Sequence, residues 1–256
     1  MATNAVLEGK GVRTVFVTNR GFADMLSIGR QARSSLYNLQ PPMPKAPVPG
    51  EYCLETGGRL AAGGGVVEDL TDADLEQLGE SLRRLAPEAV AITLLFSFLN
   101  EEFERRVEGA VPAGVFVSRS SEVLPEYREY ERGITTWLNA WVGPLVEGYL
   151  RRLKQALPGA RIAVMQSSGN TIDAAQAGRQ AVHMLLSGPA GGLAGARFVA
   201  EKAGRRRLLT FDIGGTSTDV ALVDGELQLT SEGRIGPYPV SVPMVDMHTI
   251  GAGGGS

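Results

Sequence analysis

Thr210-Phe211-Asp212-Ile213-Gly214-Gly215-Thr216-Ser217-Thr218-Asp219-Val220 is the stretch on which the fold turns. An apolar run, residues 208–211, enters it. An acid, two glycines and three hydroxyl residues follow, and a second apolar run, residues 220–223, leaves it. Asp224-Gly225 then leads into a third run, residues 227–229, and Asp-Gly between alternating apolar segments is a hairpin signal. The spacing predicts strand, Gly-Gly-Thr turn, strand, Asp-Gly turn, strand. In a Rossmann or Walker loop the glycines open a helix. Here they open a strand, and no G-x-x-x-x-G-K-[ST] occurs in the chain.

A tight turn between strands can hold phosphate. Two adjacent glycines remove the Cβ atoms that would block close approach, and their amides can converge with those of Thr216 and Ser217 into an anion nest. The hydroxyls add donors. Asp212, at the strand end, suits a magnesium ion held through water, because that hard cation keeps much of its hydration shell. The competing reading is an ordinary tight turn whose Asp and Thr satisfy backbone groups.

Working outward, residues 12–17 form a β-branched strand, and residues 22–28 a short helix after Thr18-Asn19-Arg20-Gly21. Arg20, Asp24 and Arg30 read best as surface charge and turn chemistry. Five prolines make residues 33–50 a loop. Thr71 with Asp74 matches a capping box, and Leu75, Leu78, Leu82 and Leu85 recur at helical spacing. Residues 89–96 are a continuous apolar strand. A helix capped by Asn100 and a strand at residues 115–117 follow, and the alternation implies a partly parallel, helix-covered sheet. Residues 127–157 read as two helices or one kinked helix, interrupted at Gly143-Pro144, with Trp137, Trp141 and Tyr149 mostly buried. A strand over residues 161–165 precedes a short helix capped by Thr171. Residues 190–196 form a helix with a small-residue face. Beyond the central hairpin, Asp246 and His248 lie two apart, which on one strand puts both on one face. A metal contact competes there with a plain hydrogen-bonded pair, since two ligands alone do not make a site.

Composition limits the function classes. At 256 residues, 43% of them hydrophobic, the chain can build one large domain or two. A net charge of −3 gives no support for nucleic-acid or anionic-membrane partners. The single Cys53 has no partner for an internal disulfide, which suits a reducing compartment. No apolar run approaches the ~20 residues of a membrane helix. No basic, then apolar, leader opens the sequence, so the expectation is cytoplasmic. Serine-histidine-acid, H-E-x-x-H and C-x-x-C signatures are absent.

The central stretch resembles the phosphate loop of the actin, sugar kinase and Hsp70 ATPase superfamily. Four further pieces narrow the likeness: Thr18-Asn19-Arg20-Gly21-Phe22-Ala23-Asp24, Tyr127-Arg128-Glu129-Tyr130-Glu131-Arg132, Ser187-Gly188-Pro189-Ala190-Gly191-Gly192 and Thr249-Ile250-Gly251-Ala252-Gly253-Gly254-Gly255-Ser256. In this order they resemble the hydantoinase A / 5-oxoprolinase family, which includes N-methylhydantoinase and the acetone carboxylase β subunit. The resemblance implies an α/β, ribonuclease-H-like or actin-like ATPase fold, incomplete here. It places an N-terminal hydantoinase/oxoprolinase-type region at 1–186 and the start of a hydantoinase A domain at 187–256. It implies ATP and Mg²⁺, used to activate the amide oxygen of a hydantoin, N-methylhydantoin or 5-oxoproline type of ring for hydrolysis. Asp212 then serves Mg²⁺ through water, Gly214, Gly215, Thr216, Ser217 and Thr218 the phosphates, and Asp219 the loop or metal. Gly253 and Gly254 are further nucleotide contacts. Family members carry a first Asp-Gly-Gly-Thr-like loop that this chain lacks. The chain is therefore expected to be a fragment or truncated homologue with low activity alone, completed by missing segments or a second subunit in an oligomer. A sugar or carboxylate kinase and a non-catalytic nucleotide-binding subunit are the alternatives.

Overall fold

The computed structural model describes residues 2–32, 37–38, 40, 46–213 and 218–250. In chain order, α1 is Ala2–Leu7, β1 Thr14–Asn19, α2 Met25–Ile28, β2 Cys53–Thr56, β3 Arg59–Leu60, β4 Val66–Glu68 and α3 Asp72–Leu85. There follow β5 Ala89–Thr93, α4 Glu102–Gly109, β6 Phe116–Arg119, α5 Ser120–Val123 and α6 Glu129–Ala156. Then come β7 Ala163–Met165, β8 Thr171–Asp173, α7 Ala174–Arg179 and α8 Ser187–Lys202. The chain ends with β9 Arg207–Ile213, β10 Thr218–Asp224, β11 Leu229–Thr230, β12 Gly233–Ile235, β13 Tyr238–Val240, β14 Met244–Val245 and β15 His248–Ile250. Two compact units emerge: residues 9–145, and residues 1–8 with 146–256. The division falls inside α6, well before the boundary expected at 186/187.

The first unit is an α/β layer. Its four-stranded parallel sheet has the order β2-β1-β5-β6. All residues of β1 and β5 are buried, as strands covered on both faces require. One face packs Val15, Val17, Val90 and Ile92 against Leu78 and Leu82 of α3 and Val107 of α4. The Thr71–Asp74 capping box starts α3 as its sequence predicts. On the other face, Asn139 of α6 donates to the Ser118 hydroxyl at 3.0 Å.

Side chains stop β5 short of the expected residue 96. The Leu94 amide is taken by Glu104 at 3.0 Å and the Leu95 amide by Asn19 at 2.7 Å, and Phe96 turns to φ 57°. The fully buried Glu104 also accepts from the Ser120 hydroxyl at 2.6 Å and the Ser121 amide at 2.9 Å, so one carboxylate joins the ends of β5 and β6. Arg20 pairs with Glu68 and Asp74, and Arg30 with Glu131. The Gly21, Phe22 and Ala23 amides all donate to Glu55. These charges serve the fold, in line with the surface-and-turn reading.

Of the two forms expected around Gly143-Pro144, the single helix is found: α6 runs through as 28 residues, with buried Val142, Val146 and Leu150 on both sides of the proline. Other expectations are corrected. Tyr149 is exposed, while Trp137 is buried and stacks on Trp141 at 4.9 Å. The helix after Gly21 shrinks to α2. Residues 171–173 are strand β8, and Asp173, not Thr171, caps α7 through the Ala175 amide at 2.8 Å. α1 is a helix the sequence reading left unassigned.

In the second unit, β9 and β10 form the expected antiparallel pair, flanking residues 214–217. The third strand differs. Gly225 turns the chain at φ 77°, but residues 227–229 do not return along β10. β15 occupies that edge instead, giving the order β15-β10-β9, and β11 pairs with β14. α8 packs on this sheet through Ala190 and Leu193, which meet Ala221 and Val245.

Candidate nucleotide-phosphate and cation site

Asp212 is the last residue but one of β9 and Asp219 the second of β10, and the two are direct cross-strand partners. Opposed residues share one face of a sheet, with Cβ atoms about 5 Å apart. That face is the one bearing Ala221, so both carboxylates lie toward α8. Asp212 is exposed and Asp219 half-buried. Like charges so placed repel, and a cation between them relieves the repulsion. Thr249 of β15 is the next residue in the same row, and its hydroxyl donates to Asp219 Oδ1 at 2.7 Å.

A cleft of about 410 Å³ opens between α8 and the hairpin, lined by Pro189, Gly192, Thr210, Asp212, Asp219 and Met247 among others. That size lies within the roughly 300–1,000 Å³ of small-molecule sites. Gly192 presents no side chain, and nothing stands within 4 Å of where its Cβ would be. The N-cap residue of α8, Leu186, offers no capping side chain, and its own amide donates to the Thr3 hydroxyl at 2.9 Å. Pro189, in its first turn, faces the same cleft as the two acids.

The donor set fits magnesium. It is oxygen only, and among the described residues no group of three or more His, Cys, Asp and Glu could hold a metal. A cation that keeps its waters and adds one or two carboxylates plus substrate phosphates needs no all-protein cage.

Gly214, Gly215, Thr216, Ser217, Gly253 and Gly254 lie outside the described residues. The strands that lead to them are described. Ile213 pairs with Thr218, and Thr218 with Ile250. The backbone therefore brings Ile213, Thr218 and Ile250 to one end of the sheet, beside the acidic row. Asp246 and His248 do not share a strand: Asp246 lies between β14 and β15, and its amide bonds the Gln228 carbonyl at 2.8 Å. His248 pairs with Val220, on the face opposite Asp212 and Asp219. Two contributors were only partly legible in the sequence: Thr249 as partner of Asp219 was not foreseen, and the Pro189–Gly192 wall falls at the start of the small-residue helix face, whose close approach suits a sheet or a nucleotide. The only signal for Thr249 was membership of a motif flanking the central stretch.

Residues 1–113 match the hydantoinase/oxoprolinase N-terminal region, and residues 132–256 match hydantoinase/oxoprolinase. The chain is 31% identical to caprolactamase subunit alpha of Pseudomonas jessenii across its whole length, covering 38% of that protein. The crystal structure of ATP-dependent caprolactamase from Pseudomonas jessenii superposes with a TM-score of 0.85 at 30% identity, over 99% of this chain and 38% of that one. A nucleotide-free acetone carboxylase structure, from work on ATP-dependent acetone carboxylation, gives 0.83 at 28% identity, over 98% and 38%. The chain thus spans under two fifths of the length of these relatives.

Proposed function

As the chain belongs to the hydantoinase/oxoprolinase family, we propose that it supplies the metal and phosphate side of the ATP site in an enzyme that opens a cyclic amide. The observation that carries this is the opposed pair Asp212–Asp219, on the cleft side of a hairpin whose connection reads Gly-Gly-Thr-Ser. Asp212 and Asp219 hold Mg²⁺, Asp212 through water. The amides and hydroxyls of residues 214–218 receive the β- and γ-phosphates, and Gly253 and Gly254 approach the nucleotide from the neighbouring strand. Phosphoryl transfer is mainly positioning and charge neutralisation, which is what such a turn offers.

An unactivated amide loses its nitrogen poorly. Transfer of the γ-phosphoryl group to the carbonyl oxygen, with ADP leaving, makes the carbon electrophilic. Water then adds, the ring nitrogen departs with a proton (as an amine from a lactam, as a ureido nitrogen from a hydantoin), and a second water releases phosphate from the acyl phosphate. A hydantoin, 5-oxoproline or lactam ring suits this chemistry, and a further subunit or chain segment completes the site.

Calorimetry with ATP and Mg²⁺ tests the site. Wild type is expected to bind, and Asp212→Ala to bind at least about tenfold more weakly, the loss of one charged contact. Equal affinity would count against the assignment. A ring-substrate panel read by product mass tests the reaction: a ring-opened acid supports it, whereas a phosphorylated product points to a kinase.

A further inference from the structure

We infer that Thr249 is a positioning residue that orients Asp219 toward Asp212 for cation binding, an inference that rests on the site reading above. Nothing in the free chain obliges two opposed carboxylates to point together. Mutual repulsion favours the rotamer of Asp219 that swings its oxygens away from Asp212. The Thr249 hydroxyl acts against this. It donates to Asp219 Oδ1 at 2.7 Å from the β15 side, which engages one of the two carboxylate oxygens and leaves the other to the row's remaining acid, Asp212, on the β9 side of the register. Thr249, Asp219 and Asp212 form one row across β15, β10 and β9. The middle carboxylate is therefore held at one oxygen and offered at the other.

Threonine suits the task better than other hydroxyl carriers. Its branched Cβ leaves few χ1 choices in a strand, so the hydroxyl keeps its direction without help from packing. The neighbouring pairs Ile250↔Thr218 and His248↔Val220 fix the register. A slip of one residue would put an imidazole or an isoleucine opposite Asp219 and turn Thr249 to the other face. This bond ties the Asp219 carboxylate to β15.

The test measures how much Mg²⁺ is needed for half-maximal ATP binding, by calorimetry on the full chain, with binding in excess EDTA as reference. Thr249→Val is expected to need about tenfold more Mg²⁺, the size of one lost hydrogen bond to a charged group, with metal-free ATP binding unchanged. Thr249→Ser should stay within about threefold of wild type, having kept the donor. In an Asp219→Asn background, Thr249→Val should add nothing, because the group it orients has lost its charge. An unchanged Mg²⁺ requirement in Thr249→Val overturns the role of Thr249 and leaves the site reading standing. Equal loss of binding with and without Mg²⁺, with no rescue by serine, assigns Thr249 to strand structure and also overturns the inference. Absence of Mg²⁺-dependent binding in wild type overturns the site reading and this inference with it.

Discussion

Asp212 and Asp219 carry a conflict between folding and binding that single substitutions can separate. Facing each other across the hairpin, they cost stability whenever no cation lies between them. Asp212→Asn is expected to stabilise the metal-free protein by a few tenths to about 1 kcal/mol while removing the gain in melting temperature that Mg-ATP gives wild type. Thermal melts with and without Mg-ATP read both effects, and a destabilised, still Mg-responsive variant would contradict them. Asp74 behaves oppositely. Burial pushes its carboxyl up, but bonds from the Thr71 hydroxyl and amide and from Arg20 outweigh burial and hold it below the usual carboxylate range. A depressed folded-state pKa adds stability that is present above the unfolded value of about 3.9 and lost as pH falls through the lower folded value. Urea midpoints taken downward from about pH 5 should therefore fall less in Asp74→Asn than in wild type. At neutral pH the variant should start lower by about 1 kcal/mol, the worth of a helix cap. Parallel acid profiles would show that the bonds to Asp74 contribute nothing. Asp74 was legible because a capping box is a contact three residues apart. The bond from Thr249 to Asp219 spans thirty positions and no local pattern announces it.

At the scale of elements, local rules read well where neighbours in sequence are neighbours in space. The strands β1 and β5, the helix α3 and the β9–β10 pair all follow from periodicity and turn chemistry. They fail where a distant segment competes. Asp224-Gly225 is a good hairpin turn, yet β15 takes the edge of β10 that the turn would have served. Likewise β5 ends at Thr93 because Asn19 and Glu104 reach in for the next two amides. α6 shows a third case, in which local rules leave two helices or one kinked helix open at Gly143-Pro144 and tertiary packing selects one. Its glycines give a matched test. A methyl group at Gly143 would overlap the Phe116 ring of β6, whereas at Gly148 it would meet only the far end of Arg152, at 3.5 Å. Gly143→Ala should lose about 1–3 kcal/mol to overpacking despite alanine's helix preference. Gly148→Ala should gain about 0.5–1 kcal/mol from that same preference. Chemical denaturation of the two variants checks the pair, and a gain at both positions would mean that β6 yields freely to α6.

Over the whole molecule, the four-stranded and the three-stranded sheets are finished differently. The parallel sheet of residues 9–145 is covered on both faces, and its strands are buried throughout β1 and β5. The β15-β10-β9 sheet has α8 on the acidic face, while its other face leaves Leu209, Phe211, Ile213 and Leu222 more than half exposed. The register makes these four side chains contiguous: Leu209 lies opposite Leu222, with Phe211 and Ile213 next along the same face. Apolar surface gathered this way drives association, unlike the same residues scattered singly. Phe211 and Leu222 are 62% and 66% exposed, so replacing them takes little from the core. Threonine keeps the β-branched preference of the strands while removing apolar area. Phe211→Thr with Leu222→Thr is therefore expected to lower concentration-dependent association in sedimentation velocity and to weaken binding of an apolar dye. Stability should change by no more than about 1 kcal/mol. Phe211 also borders the cleft, whereas Leu222 lies on the face opposite the carboxylate pair, so Leu222→Thr alone should leave the Mg²⁺ dependence of ATP binding unaltered. Association that persists in the double variant would place the sticky surface elsewhere, with α8's exposed Phe198 and Val199 the next apolar group to replace.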